Sequence, residues 1–103
     1  MTRTAKPLLR RIDPKALGRA AQIIKLLGHP ERLMIVEALE GGERTVSEVY
    51  ELCDLDQAIC SQHLRKLREL HVVEARKEGL NVRYRIVEPK VYHILNCIRK
   101  CDA

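Results

Sequence analysis

Residues 45 to 68, Thr45-Val46-Ser47-Glu48-Val49-Tyr50-Glu51-Leu52-Cys53-Asp54-Leu55-Asp56-Gln57-Ala58-Ile59-Cys60-Ser61-Gln62-His63-Leu64-Arg65-Lys66-Leu67-Arg68, decide the fold. Thr45 with Glu48 three positions later fits a capping box, in which two orphan N–H groups at a helix start are satisfied reciprocally. A short helix should therefore run to about Leu52 or Cys53. Asp56 can cap a further helix from Gln57 to about Leu70. Only Asp54-Leu55-Asp56 separate the two, which is the spacing of a helix-turn-helix.

Downstream, after His71, the period of the sequence switches from 3.6 to 2. Val73 and Ala75 alternate with Glu74 and Arg76, and beyond the tip Glu78-Gly79-Leu80-Asn81 the residues Val82, Tyr84 and Ile86 alternate with Arg83 and Arg85. This predicts a hairpin with one apolar and one basic face. Upstream, Asp13-Pro14 supplies a cap and a first-turn proline, and Leu17, Ala20, Ala21, Ile24 and Leu27 recur at helical spacing until Gly28. Pro30 opens a second helix, with Leu33, Met34, Ile35, Val36 and Leu39 on its apolar side and Gly41-Gly42 as its stop. Pro89 opens a last one, carrying Val91, Ile94, Leu95 and Ile98 and ending near Cys101. The fold class is thus mainly α with a β-hairpin wing: a winged helix-turn-helix of five helices, spanning residues 13–101 behind a basic tail, 1–12.

A chain of 103 residues is one domain long, and 46% hydrophobic with 32% charged residues is the composition of a folded chain. The longest apolar run, Leu33 to Val36, is far too short to cross a bilayer, and no apolar segment follows the basic start. A cytoplasmic protein without membrane contact is expected, its four cysteines reduced rather than paired as a disulfide framework. The net charge of +5 is unevenly spread. Residues 1–28 carry seven bases and one acid, 29–56 two bases and eight acids, and 57–85 seven bases and three acids. A basic block within a small domain is the footprint of a polyanion binder. With three tyrosines, no tryptophan and no phenylalanine, stacking platforms for single strands are lacking, so duplex DNA is the expected partner.

On the helix beginning at Gln57, a turn of about 100° per residue puts Cys60, Leu64 and Leu67 on an inward stripe. Gln57, Ala58, Ser61, Gln62 and Arg65 fall on the opposite side, where Gln suits adenine, Arg suits guanine and Ala suits a thymine methyl. His63 and Lys66 lie to one side, within reach of the DNA backbone. Arg76, Arg83 and Arg85 share the outer face of the hairpin, with Lys77 near its tip, and can meet phosphates or the minor groove. Glu74 among them should blunt their field. One such unit reads only a few base pairs, so a two-fold homodimer is expected, joined through the first and last helices.

The run from Asp56 to Arg68 resembles the recognition helix of the ArsR/SmtB repressors, and Val73 to Ile86 resembles their wing. Leu26-Leu27-Gly28-His29-Pro30-Glu31-Arg32-Leu33 is similar to the start of their second helix, so the likeness spans roughly residues 17 to 98. It implies a homodimeric repressor that leaves its operator when an inducer binds. The chain departs from the family pattern at Leu80, where a polar or basic residue is usual, and at the third helix, where the paired thiols are reduced to Cys53. The Asp/His arrangement that related zinc sensors carry on the last helix is also absent.

Cys97 and Cys101, four apart on the last helix with His93 one turn before, bring soft ligands within about 5–6 Å. They can contribute to a site for Zn(II) or As(III) as inducer, respond to oxidation, or simply pack at a dimer seam; two such ligands make half a tetrahedral site. Cys53 and Cys60 read as packing residues, although a site joining them would restrain the recognition helix. Catalysis is not expected: Cys60 and His63 cannot form an oriented pair at a pocket, and no phosphate-binding or zinc-protease motif occurs. The alternative is a winged helix that binds other proteins and has no inducer site.

Overall fold

The computed structural model describes residues 11–102. The basic tail falls almost wholly outside them. Five helices and three short strands follow one another: α1 (Pro14–Leu27), α2 (Pro30–Glu40), β1 (Arg44–Thr45), α3 (Val46–Cys53), α4 (Gln57–Glu69), β2 (Val73–Glu78), β3 (Asn81–Ile86) and α5 (Lys90–Asp102).

The helix ends form where short-range chemistry places them. The Thr45 hydroxyl accepts from Glu48 N–H at 3.2 Å while the Glu48 carboxylate accepts from Thr45 N–H at 2.8 Å, completing the capping box of α3. The Asp56 carboxylate accepts from the N–H groups of Ala58 and Ile59, at 2.9 and 3.3 Å, and starts α4. Between them Asp54 adopts a left-handed conformation with φ of 53°, which ends α3 and turns the chain. At the start of α1, Asp13 holds the cap position but its side chain makes no capping bond.

One apolar cluster joins the elements. Ile35, Val36 and Leu39 of α2 meet Val49 of α3, Cys60, Leu64 and Leu67 of α4, and Val91 and Leu95 of α5, all buried. Removing most of one such side chain, as in Leu64→Ala, costs about 2–5 kcal/mol. The apolar repeat expected on α1 is only partly inward. Ile23, Leu26 and Leu27 are buried, whereas Leu17 and Ile24 are 50% and 62% exposed. The helix thus has two apolar faces, and α5 leaves Ile98 similarly open.

The wing is more than the expected hairpin. β2 and β3 pair antiparallel from Val73↔Ile86 to Glu78↔Asn81, closed by Gly79-Leu80, with Gly79 at a φ of 61° that suits a residue lacking Cβ. β1 then adds to the free edge of β3, Arg44 opposite Tyr84 and Thr45 opposite Arg83, giving the order β1-β3-β2. Two residues are too few to show an alternation in sequence. Through this strand the start of the helix-turn-helix is bonded directly to the wing.

Buried Glu88, in the link from β3 to α5, accepts from the Arg19 guanidinium of α1 at 3.1 and 3.3 Å, and Arg19 also donates to Leu70 O at 2.6 Å. Burial pushes the Glu88 carboxyl up, but the Lys90 N–H and Arg19 outweigh it and hold it below the usual range. No helix among the described residues is long and apolar enough to cross a membrane.

Candidate nucleic-acid interface

α4 presents two sides of different character. Cys60, Leu64 and Leu67 are wholly buried, while Gln57, Ala58, Ser61, Gln62, Arg65 and Lys66 are all exposed. Among the described residues, none of these six enters an ion pair or a side-chain hydrogen bond within the chain, so their polar groups are free for a ligand. The N-terminal residues of α4 also carry the positive end of the helix dipole.

His63 does not belong with them. Its ring is buried, 8% exposed, and both nitrogens are occupied from within: Nδ1 accepts from Arg32 Nε at 3.1 Å and Nε2 lies 2.9 Å from Glu31 Oε1. It faces the start of α2 and cannot touch a DNA backbone. The signal was in the spacing, since His63 stands three residues after Cys60 and four before Leu67, on the same stripe. Polarity suggested the surface; periodicity correctly indicated the interior.

Three exposed residues of α4 escaped the sequence reading, Glu69 at its last position among them. Ile59 is 43% exposed near the start of the helix, beside Ala58, and Arg68 is exposed in the last turn. The fold adds Lys25 of α1, which with Arg32 and Lys66 lines a groove of about 360 Å³ between α1 and the end of α4. Forty-one residues of sequence separate Lys25 from Lys66, so no local pattern could join them.

The wing holds its bases differently. Arg76, Arg83 and Arg85 do share the outer face, but each is engaged by the chain's own acids. Arg76 donates to Glu43 at 2.6 Å and to Glu78 at 3.0 Å; Arg83 donates to Glu78 at 3.2 Å and lies 3.9 Å from Glu48; Arg85 Nε donates to Glu74 at 2.9 Å. The Arg76 hydrogen bond holds the Glu43 carboxyl below its ordinary value against a smaller opposing desolvation, and Arg76 with Arg83 does the same to Glu78. The expected basic face is therefore a compensated one, three arginines beside four acids. Lys77 makes no ion pair among the described residues, and the tip residue Leu80 is fully exposed.

The thiols fall into two environments. Cys53 and Cys60 are buried, and burial pushes Cys60 up to about 11, with Cys53 adding to the shift. Such a thiol stays protonated and is a poor nucleophile or metal ligand, in keeping with a packing role. Cys97 and Cys101 are both exposed on α5.

Comparison with known proteins agrees with this geometry. A family model described as a helix-turn-helix domain matches residues 27–76. The chain is 35% identical over 94 residues to a biofilm growth-associated repressor of Xylella fastidiosa, covering 90% of this chain and 82% of that one. It is 32% identical over 79 residues to the transcriptional repressor SmtB of Mycobacterium tuberculosis, covering 77% of this chain and 58% of that one. The fold superposes on the crystal structure of the repressor BigR from Xylella fastidiosa with a TM-score of 0.81 at 34% identity, covering 86% of this chain and 91% of that one. It also superposes on the solution structure of a homodimeric winged helix-turn-helix DNA-binding domain from Mycobacterium bovis, described as a possible ArsR-family regulator. There the TM-score is 0.74 at 30% identity, with 89% and 87% covered. A capped helix-turn-helix bonded to a three-stranded wing, with relatives of this kind across most of its length, places the chain in the ArsR/SmtB family of winged helix-turn-helix transcriptional repressors.

Proposed function

We propose that the protein is a sequence-specific transcriptional repressor that binds duplex DNA as a homodimer. α4 reads base edges in the major groove through Gln57, Ala58, Ser61, Gln62 and Arg65, while Lys66, Lys77 and the wing arginines meet the backbone. The observation that carries this is the polar side of α4, exposed along its length and unclaimed by any side chain of the same molecule. Residues 13–101 form the binding and dimerising unit, the basic tail 1–12 adds non-specific affinity, and the protein works in the cytoplasm without catalytic activity. The open apolar faces of α1 and α5, with Leu17, Ile24 and Ile98, are the surfaces for the second protomer.

The inducer is assigned to the exposed thiols. Cys97 and Cys101 are accessible where Cys53 and Cys60 are not, and two protomers would bring four such thiols to one dimer. Zn(II), As(III) or an oxidant acting there would shift the dimer between states of different operator affinity.

The experiment is selection of a preferred duplex from random sequence, followed by affinity measurements across salt. A symmetric site with half-sites about one helical turn or a multiple apart, and an affinity that falls steeply with salt, is expected. The Cys97→Ser/Cys101→Ser variant should bind that duplex normally but ignore Zn(II), arsenite and mild oxidant. An unchanged response would overturn the thiol assignment. The absence of salt-dependent duplex affinity would instead favour a protein-binding winged helix.

A further inference from the structure

The buried ring of His63 sits where three helices meet. Arg32 Nε can only donate, so Nδ1 of His63 is its acceptor. The ring's one proton is then on Nε2, which donates to Glu31 Oε1 at 2.9 Å. Arg32 also donates to Leu26 O at the end of α1, at 3.1 Å. The His29 ring packs edge-on against that of His63, centroids 4.8 Å apart, and its Nδ1 accepts from Glu31 N–H to cap α2.

His29, Glu31 and His63 offer ligand atoms within 4.8 Å of one another, a grouping that suggests a cation. The hydrogen bonds argue otherwise. The Nδ1 lone pair of each ring already accepts an N–H, and a guanidinium is held 3.1 Å from the ring that would carry the metal. A cation would have to reverse both tautomers beside a fixed positive charge.

What the arrangement supplies is direction. An apolar side chain of similar size would fill the space over a range of helix rotations, whereas two opposed hydrogen bonds on one planar ring define a single one. On a helix, a turn of about 15° carries a side-chain tip about 6 Å from the axis sideways by about 1.5 Å. Recognition geometry tolerates about 0.5 Å. Gln62 precedes His63 and Arg65 follows two residues later, so the grip on the ring fixes where both of them point.

We propose that His63 is a positioning residue for DNA recognition: held at both ring nitrogens by Arg32 and Glu31, it sets the rotation of α4 at which Gln62 and Arg65 meet base edges. The assignment rests on the DNA-reading role of α4 given above.

The test compares the affinity of the full chain for its selected duplex with that for a scrambled duplex of equal length, alongside the thermal midpoint. His63→Leu should keep or raise the midpoint and leave scrambled-duplex affinity unchanged, yet lower the ratio of the two affinities by about tenfold. His63→Gln, whose amide carries both an acceptor and a donor, should restore most of that ratio. A ratio preserved in His63→Leu overturns the assignment, as does a loss that tracks the midpoint and is not restored by Gln. If His63→Leu does not fold, Glu31→Gln, which keeps an acceptor oxygen, and Glu31→Ala, which does not, replace it: equal ratios in the two overturn the assignment. Failure of the unaltered protein to bind any duplex would strike the DNA reading itself, and is seen before a variant is made.

Discussion

The outer faces of α4 and of the β2–β3 wing carry similar side chains in different company. On α4, Arg65 and Lys66 form no ion pair among the described residues, although Glu69 lines the same shallow hollow, and the polar groups around them are unengaged. On the wing, Arg76, Arg83 and Arg85 are held by Glu43, Glu48, Glu74 and Glu78. A ligand phosphate finds α4 ready but must displace a carboxylate to reach a wing arginine. Exposed pairs of this kind are each worth about 0–1 kcal/mol, so they moderate the attraction of the wing without abolishing it. In the proposed function, discrimination falls to α4 and general attraction to the wing, where the arginines are restrained by acids of the same chain.

The largest expected effect tests the α4 side. Arg65→Ala or Gln62→Ala should cost about 1–3 kcal/mol at the preferred duplex and far less on scrambled sequence. If affinity for the preferred duplex stays unchanged in both, α4 is not the reader and the contrast collapses. Next comes Arg83→Ala, which should weaken binding to all sequences alike, with the salt dependence reduced by less than one released counterion because Glu78 and Glu48 already share that guanidinium. A loss confined to one sequence would place a wing arginine among the specificity contacts.

Releasing that restraint should have a smaller and opposite effect. Glu43→Gln frees Arg76 from its shortest partner, so affinity for any duplex should rise a few-fold and its salt dependence should steepen; unchanged titrations at two salt concentrations would show that the pair exerts no restraint. The smallest effect is on stability against acid. Arg76 and Arg83 hold Glu78 below its ordinary value, and Arg76 holds Glu43 there. Arg99, on α5, does the same to Glu40. A carboxyl with a depressed folded value contributes stability that is complete above its unfolded value of about 4.5 and is lost as pH falls through the folded one. The urea midpoint should thus be level from neutral pH to about pH 5 and decline below about pH 4.5, less so in Glu78→Gln. The outer face of α4 carries a single acid, Glu69, which forms no ion pair among the described residues.

Much of this architecture is legible in the chain. The capping box at Thr45 and Glu48, the Asp56 cap, the prolines opening α1 and α2 and the two-residue alternation after His71 each act over a few residues, and each appears where the sequence puts it. The misplaced residue has a different cause. His63 was assigned by polarity although its spacing matched the buried stripe, and the polar partners that make its burial tolerable, Glu31 and Arg32, lie on another helix. Leu17 and Ile24 repeat at helical spacing and face away from the core, on a helix from which a dimer surface is expected; the repeat shows that a face is apolar and not what covers it.

The helices, the hairpin and most of the polar side of α4 follow from the chain alone, since propensity, capping and periodicity are properties of neighbours along it; β1 and the burial of His63 do not. Which charges remain available is settled by packing between distant segments. Arg76 and Glu43 are 33 residues apart, and Arg19 and Glu88 are 69 apart. Pairings at that range exist only once packed helices and a closed sheet bring distant segments within a few ångströms, where the strength of a charge depends on what stands beside it.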